Sequence, residues 1–394
     1  MMGDKSVGDD RNNSAKTPAS ILCVGLGWFP QVPGGLNRYV YELTHHLAAG
    51  QDRVELCAIG LPSESNNPQM KLTNLAPKDL PTWKQLWLSR GNFARGWSEK
   101  PDAINLHFAM TSFPLLNLLP KGVPVTFTFH GPWALETKQE GDTKLGSWLK
   151  YWLVEKQVYT RCDRFIVLSQ AFGNILQEKY QVPGSKIQII PGGVDLNRFP
   201  ASLSRQQARD QLGWSQDRLI LFTPRRLVQR MGIDKLLTAL ATIKPRISDV
   251  WLAIAGKGWL KDALEEQATA LGLNEHVKFL GFLPDEQLPI AYQAADLCVI
   301  PSQSLEGFGL VLLESLASGT PVICTPVGGM PEILAPFSPD LITSSCEATA
   351  IAERLESIIN GEVHLPSRAA CREYAVTNFD WYKIAHQVRQ VLLA

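Results

Sequence analysis

Short, nearly continuous apolar runs recur down this chain with helical patterns between them, and that alternation restricts the fold more than any other feature. In the first half the runs are SILCVGLG from Ser20, RVELCAIG from Arg53, AINLHF from Ala103, PVTFTFHG from Pro124, RFIVLS from Arg164 and KIQIIPGG from Lys186. A strand apolar on both faces must be covered on both faces, which is the habit of parallel sheets flanked by helices. GLNRYVYELTHHLAAG (Gly35 to Gly50) and LGSWLKYWLVEKQVYTRC (Leu145 to Cys162) supply helical patterns between strands. The product is a doubly wound α/β domain.

After a polar bridge around Pro200 to Arg209 the rhythm restarts with LILFTPRR from Leu219, VWLAIAGKG from Val250, VKFLGFLP from Val277, LCVIPS from Leu297, PVICTPVGG from Pro321 and LITSS from Leu341. Helical patterns again intervene, as in IDKLLTALATI from Ile233 and KDALEEQATALG from Lys261. At 394 residues the chain exceeds a single ordinary core. The expected layout is a polar tail over 1–18, a Rossmann-like domain over 19–198, a second over 199–376, and an amphipathic closing helix over 377–394. Two Rossmann-like domains facing each other across a cleft are the predicted α/β architecture.

Charge narrows the function. Lys and Arg number 38 and Asp and Glu also 38, so the excess of base expected of a nucleic-acid binder is missing. The tail lacks the apolar core of a signal peptide, and no apolar stretch reaches the ~18 residues that a spanning helix needs. Seven scattered cysteines without a Cys-x-x-Cys pair fit buried thiols in a reducing compartment. A cytoplasmic protein is expected, at most peripheral at the inner membrane face. LPTWKQLWLSRGNFARGW and GSWLKYWLVEKQVYTR mix Trp with Lys and Arg. Two readings of them stay open: a surface docking on a membrane, or core helices whose cations snorkel outward.

Ligands of open α/β sheets bind beyond the carboxyl ends of the strands, and the unusual residues collect there. Gly25–Gly27 is a poor dinucleotide fingerprint, because Trp28, Phe29 and Pro30 follow where helix and third glycine belong. Gly34 and Gly35, just before a helix, allow backbone amides to approach a phosphate, with a plain loop as the alternative. His130 ends one strand; as a lone histidine it could equally be structural, as could His107. In the second half PRRLVQRMG supplies Arg226 and Arg230, and GKG supplies Gly256 and Lys257. PSQSLEGFGLVLLES carries Glu306 and Glu314 around Gly307, Phe308, Gly309 and Leu310, where a helix start can hold a pyrophosphate. Surface carboxylates are the plainer reading, yet Glu314 falls in an apolar run where an acid is expensive to bury without a partner.

Glu306 and Glu314 with Gly-Phe-Gly between them resemble the signature of the retaining family 4 glycosyltransferases of the GT-B fold. GGLNRYVYEL is similar to that family's first glycine loop and helix, TFHG to its active-site histidine segment, IPGGVDLNRF to its interdomain segment and PVICTPVGGMPEI to its later glycine loop. The resemblance implies an N-terminal acceptor domain, a C-terminal donor domain and a last helix crossing back to the first. It further implies that Glu306 contacts the donor sugar, Glu314 the ribose, the amides of Phe308, Gly309 and Leu310 the sugar and pyrophosphate, His130 the sugar near the reacting carbon and Gly35 the phosphate. The family's Arg aligns with Arg226, but Met231 stands where a Lys is usual, and Arg230 is displaced by one. The implied reaction is hexosyl transfer from a UDP- or GDP-sugar to a glycan or lipid-linked acceptor, with no cofactor. No Asp-x-Asp occurs in the folded part, so a metal is not expected to be obligatory. A sugar-nucleotide epimerase and a non-catalytic sugar-nucleotide binder of the same fold are the alternatives.

Overall fold

Seven parallel strands form the first sheet: β1 (Ser20–Gly27), β2 (Arg53–Ile59), β3 (Met70–Asn74), β4 (Ala103–Leu106), β5 (Val125–Phe129), β6 (Arg164–Val167) and β7 (Ile187–Ile189), in the order β3-β2-β1-β4-β5-β6-β7. The second holds β8 (Leu219–Pro224), β9 (Val250–Ala255), β10 (Val277–Gly281), β11 (Leu297–Ile300) and β12 (Val322–Cys324), also parallel, in the order β10-β9-β8-β11-β12. This computed structural model describes residues 17–95, 99–139, 141, 143–247 and 249–394; residues 1–16 of the expected tail lie outside the described residues. Strand order reverses beside β1 and beside β8, which opens a crevice at the carboxyl edge of each sheet.

Two elements depart from the sequence reading. β3, an edge strand of sequence MKLTN, was not expected, because with one side of its ladder unpaired it shows no continuous apolar run. The strand expected at Leu341 is not built: Pro339–Leu341 is a 3-10 turn and Ile342 makes only an isolated bridge to Cys324. Pro339 offers no backbone donor and its ring fixes φ, so a ladder cannot start there.

The segment Leu145 to Cys162 is three successive pieces, an α-helix over Lys144–Leu149, a π-helix over Lys150–Glu155 and an α-helix over Lys156–Arg161. In its first half Leu145, Trp148, Leu149, Trp152 and Leu153 are all exposed, whereas Tyr151 and Val154 pack partly against the core and Val158 and Tyr159 are buried in it. Glu155 faces inward, accepting from Tyr180 Oη at 2.7 Å and Tyr159 Oη at 3.4 Å. Burial pushes its carboxyl up to about 7. The core-helix reading holds for Val158 and Tyr159, which are buried, but not for the exposed residues from Leu145 to Leu153.

The chain passes between the domains twice. The helix Arg368–Phe379 packs on the helix Leu310–Ala317, whereas Trp381–Leu393 packs on Gly35–Ala49 of the first domain. Asp380 caps that last helix through the amide of Tyr382 at 3.0 Å, and Trp381, Ile384, Ala385, Val388 and Leu392 bury one face at helical spacing. Arg389 Nε bonds the buried Asp52 at 2.7 Å and fixes the far end. Beside the crossing, the amide of Val194 donates to Phe379 O at 2.9 Å, so both passages between domains lie side by side.

Candidate active site

Glu306 sits in the loop after β11, and its carboxylate meets an arginine the sequence reading passed over. Arg225, the first residue beyond β8, is buried and ion-pairs through Nη2 with Glu306 Oε2; the same nitrogen reaches Ser302 Oγ. Ser302 Oγ in turn donates to Glu306 Oε2 at 3.3 Å. Arg226, expected at the donor's pyrophosphate and not at Glu306, is exposed. Successive residues leaving a strand point to opposite faces, so a slip of one position exchanges the inward arginine for the outward one. Arg230 donates from Nη1 to Leu305 O at 3.2 Å, which places it against the backbone just before Glu306. Met231 is buried in the core.

Glu314, on the second turn of the helix Leu310–Ala317, is buried and doubly engaged. Tyr292 Oη donates to Oε2 at 2.9 Å, and Arg38 of the first domain ion-pairs with Oε1. Arg38 lies in the first turn of the helix Gly35–Ala49 and stacks its guanidinium 4.7 Å from the Phe199 ring centroid. Neither carboxylate is turned to bulk water. A carboxylate offers about four lone-pair positions, so both groups retain acceptor capacity for ligand hydroxyls.

Glycines set the spacing around these acids. Gly309 caps the helix at φ 95°, a conformation costly for other residues, and offers no side chain to the helix's first amides. A Cβ on Gly307 would lie 2.6 Å from Phe172 of the first domain, and one on Gly328 1.7 Å from Glu306 O. Gly35 approaches from the opposite side, where a Cβ would be 3.9 Å from Leu310 Cδ1. Gly34, at φ 149°, likewise leaves the helix Gly35–Ala49 without a side-chain cap or a first-turn acid. A third helix start in the cleft is already satisfied: Glu332 accepts from the amides of Gln170 and Ala171 at 2.7 and 2.9 Å. The helix starts at Gly35 and Leu310 thus have no side-chain cap, leaving the positive ends of their dipoles uncovered by an acid of their own first turn.

Gly256 and Lys257 occupy the loop after β9. At Gly256 a Cβ would fall 1.9 Å from Arg225 O, so the glycine lets this loop press on the backbone that carries Arg225. Lys257 stands 5.5 Å from the ring centroid of Phe282 in the next loop.

His130, one residue beyond β5, lies edge-on to Tyr39 at 4.8 Å, and its Nε2 is 3.2 Å from Nδ1 of the buried His107. Burial pushes His130 down to about 3, and burial followed by the neighbouring His130 holds His107 well below its usual range. Both rings are neutral at ordinary pH, one donating and the other accepting across the pair.

Sequence comparison identifies what carries this geometry. A profile described as "Glycosyl transferases group 1" matches residues 204–377, and one described as "Glycosyltransferase Family 4" matches 33–198. The chain belongs to the family 4 glycosyltransferases. This glycosyltransferase is 26% identical over 404 residues to the glycogen synthase of Mycobacterium tuberculosis H37Rv, covering 95% of its own length and 94% of the relative's. It is 32% identical over 211 residues to a GDP-mannose-dependent phosphatidylinositol monomannoside mannosyltransferase of Mycolicibacterium smegmatis, covering 50% of this chain and about half, 54%, of that protein. Among solved structures, a sucrose-phosphate synthase of Thermosynechococcus elongatus superposes with TM-score 0.80 at 24% identity, covering 95% of this chain and 98% of that one. Anabaena HepE in complex with UDP and glucose superposes with TM-score 0.72 at 20% identity over 95% and 99%. These solved structures establish the GT-B fold of the glycosyltransferase.

Two contacts of the glycosyltransferase were missed by sequence reasoning. Arg38 was visible as a cation three residues after Gly35, yet nothing in the sequence paired it with Glu314 across 276 positions. Arg225 was hidden by its neighbour Arg226.

Proposed function

We propose that this enzyme moves a hexosyl group from a UDP- or GDP-sugar to a hydroxyl of a glycan or glycolipid acceptor, retaining anomeric configuration and needing no metal. The observation carrying this reading is the pair of enclosed carboxylates, Glu306 and Glu314, set to either side of the uncapped helix start at Gly309. In this reading Glu314 accepts from the ribose hydroxyls and Glu306 from hydroxyls of the sugar. The pyrophosphate rests on the amides of Phe308, Gly309 and Leu310, with Gly34 and Gly35 closing from the other domain.

Transfer breaks the bond between the anomeric carbon and the phosphate oxygen and makes a bond from that carbon to the acceptor oxygen on the same face. The acceptor proton passes to the departing phosphate oxygen. Negative charge grows on the diphosphate, and donors fixed in advance stabilise it most. The two helix starts supply oriented amides, and Arg226 and Arg230 supply the cations, Arg230 standing in for the Lys absent at Met231. Neutral His130 positions a sugar hydroxyl without adding charge beside an electron-poor carbon. Gly256 and Lys257 belong to the same donor rim.

A thermal-shift screen of nucleotide sugars, followed by assay of nucleoside diphosphate release with and without candidate glycan acceptors, tests the assignment. Release that requires acceptor supports transfer. Glu306→Ala should slow it on the order of ten- to a hundredfold, the worth of a charge-assisted hydrogen bond of about 1.5–3 kcal/mol. Wild-type turnover by both Glu306→Ala and Glu314→Ala would remove the assignment.

A further inference from the structure

We infer that the outward face of the Lys144–Glu155 segment, with the neighbouring helix Thr82–Arg95, seats the enzyme on an anionic phospholipid bilayer. Leu145, Trp148, Leu149, Trp152 and Leu153 repeat at helical spacing, the pattern that ordinarily marks a buried face. Here the whole stripe is solvent-facing, each residue between 39% and 67% exposed, while Ser147, Glu155 and the partly buried Tyr151 and Val154 take the inward side. The segment is therefore apolar on both sides, and the larger, outward stripe is left uncovered.

Thr82–Arg95 repeats the arrangement. Trp83 and Trp87, one turn apart, are 68% and 74% exposed. This helix packs on the 3-10 turn Phe113–Leu118, which reaches Lys156–Arg161 on its other side, so the two Trp-bearing helices belong to one flank of the first domain. Phe113, the first residue of that turn, is itself exposed.

Charge selects the partner. Thr82–Arg95 carries Lys84, Arg90 and Arg95 and no acid; from Lys144 to Lys156 the cations are Lys144, Lys150 and Lys156, and the one acid, Glu155, is buried. In a chain with equal numbers of acids and bases, this flank is cationic and aromatic together. Lys84 lies 5.3 Å from the Trp83 ring centroid and Lys156 3.8 Å from that of Trp152, the side-by-side arrangement that puts an indole at the headgroup level and an ammonium on lipid phosphate. No helix among the described residues is long and apolar enough to cross a membrane, so the contact is interfacial. The flank also adjoins the reaction cleft: Lys144–Leu149 packs on Trp133–Gln139, which begins three residues after His130.

Flotation of the full-length chain with vesicles tests this without any donor, so its outcome is independent of the chemistry at Glu306. The chain should float with phosphatidylcholine mixed with phosphatidylglycerol and remain behind with phosphatidylcholine alone. Trp148→Ser with Trp152→Ser should lower partitioning at least about tenfold. Lys144→Glu with Lys156→Glu should lower it about fivefold or more for each cation lost, with a strong dependence on salt. Circular dichroism and the nucleotide-sugar thermal shift should stay at wild-type values in both variants, which separates lost docking from lost fold. Absence of flotation with anionic vesicles, or flotation indifferent to the Trp substitutions, overturns the inference. So does a concentration-dependent dimer that the Trp substitutions dissolve, because a second copy would then be what covers the stripe.

Discussion

Replacing Arg225 by Met keeps the side chain's bulk and removes the cation beside Glu306. The pair is enclosed, with side chains 7% and 14% exposed, so solvent screens it little. Taking one partner from a buried ion pair leaves the other charge uncompensated, a loss of about 3–5 kcal/mol. Ser302 Oγ still donates to Glu306, which argues for the lower end, ~3 kcal/mol. Adding Glu306→Gln removes the stranded charge and should restore at least ~1 kcal/mol, so the two substitutions will not add. Urea denaturation of the wild type, both single variants and the double variant measures the coupling. In turnover, Arg225→Met should lose about ten- to a hundredfold because Glu306 is no longer held in place, with Arg225→Lys between the two. Stability effects that add to within about 0.5 kcal/mol would show that the pair does not couple and refute the reasoning.

Three further outcomes are expected. Gly328→Ala adds a methyl 1.7 Å from Glu306 O at a φ of 57°, so it should destabilise by at least ~1–3 kcal/mol and weaken donor binding in a thermal-shift titration. Arg38→Ala removes the ion pair between Glu314 and the first domain; small-angle scattering should record a larger radius of gyration, and an unchanged radius would show that Arg38 does not hold the domains together. His130 is held at about 3 and His107 also below the usual 6.5, so unfolding below pH 6.5 takes up protons that the native state refuses. Between pH 7.5 and 5.5 each ring therefore costs the native state about 1.4 kcal/mol, while the raised carboxyls of Glu155 and Glu42 act in the opposite sense, so the test is a difference: His107→Phe should lose about 1.4 kcal/mol less than the wild type over this range in paired denaturation curves.

Strands buried on both faces were the most legible part of the chain, since an unbroken apolar run admits few alternatives. β3 escaped because an edge strand is only half covered, and LITSS misled because its composition suits a strand while Pro339 before it does not. Periodicity gave the stripe from Leu145 to Leu153 but not its direction: an apolar face looks the same in sequence whether it meets a core or the outside. Glu306 and Glu314 were readable from spacing and from the energetic oddity of an acid in an apolar run. Their arginine partners were not, because Arg38 depends on how two domains meet and Arg225 on which way a strand's last residue turns.

Val194 and Phe379 bind the two passages between domains into one narrow strip. A body hung from a single strip can swing but hardly slide, so separation of the lobes should follow one arc, small near Val194 and widest at the rim where Ser304 touches Gln139. Substrate admission would then be graded by an angle, and a stiffer strip would slow exchange at the mouth while leaving the bonds around either carboxylate untouched.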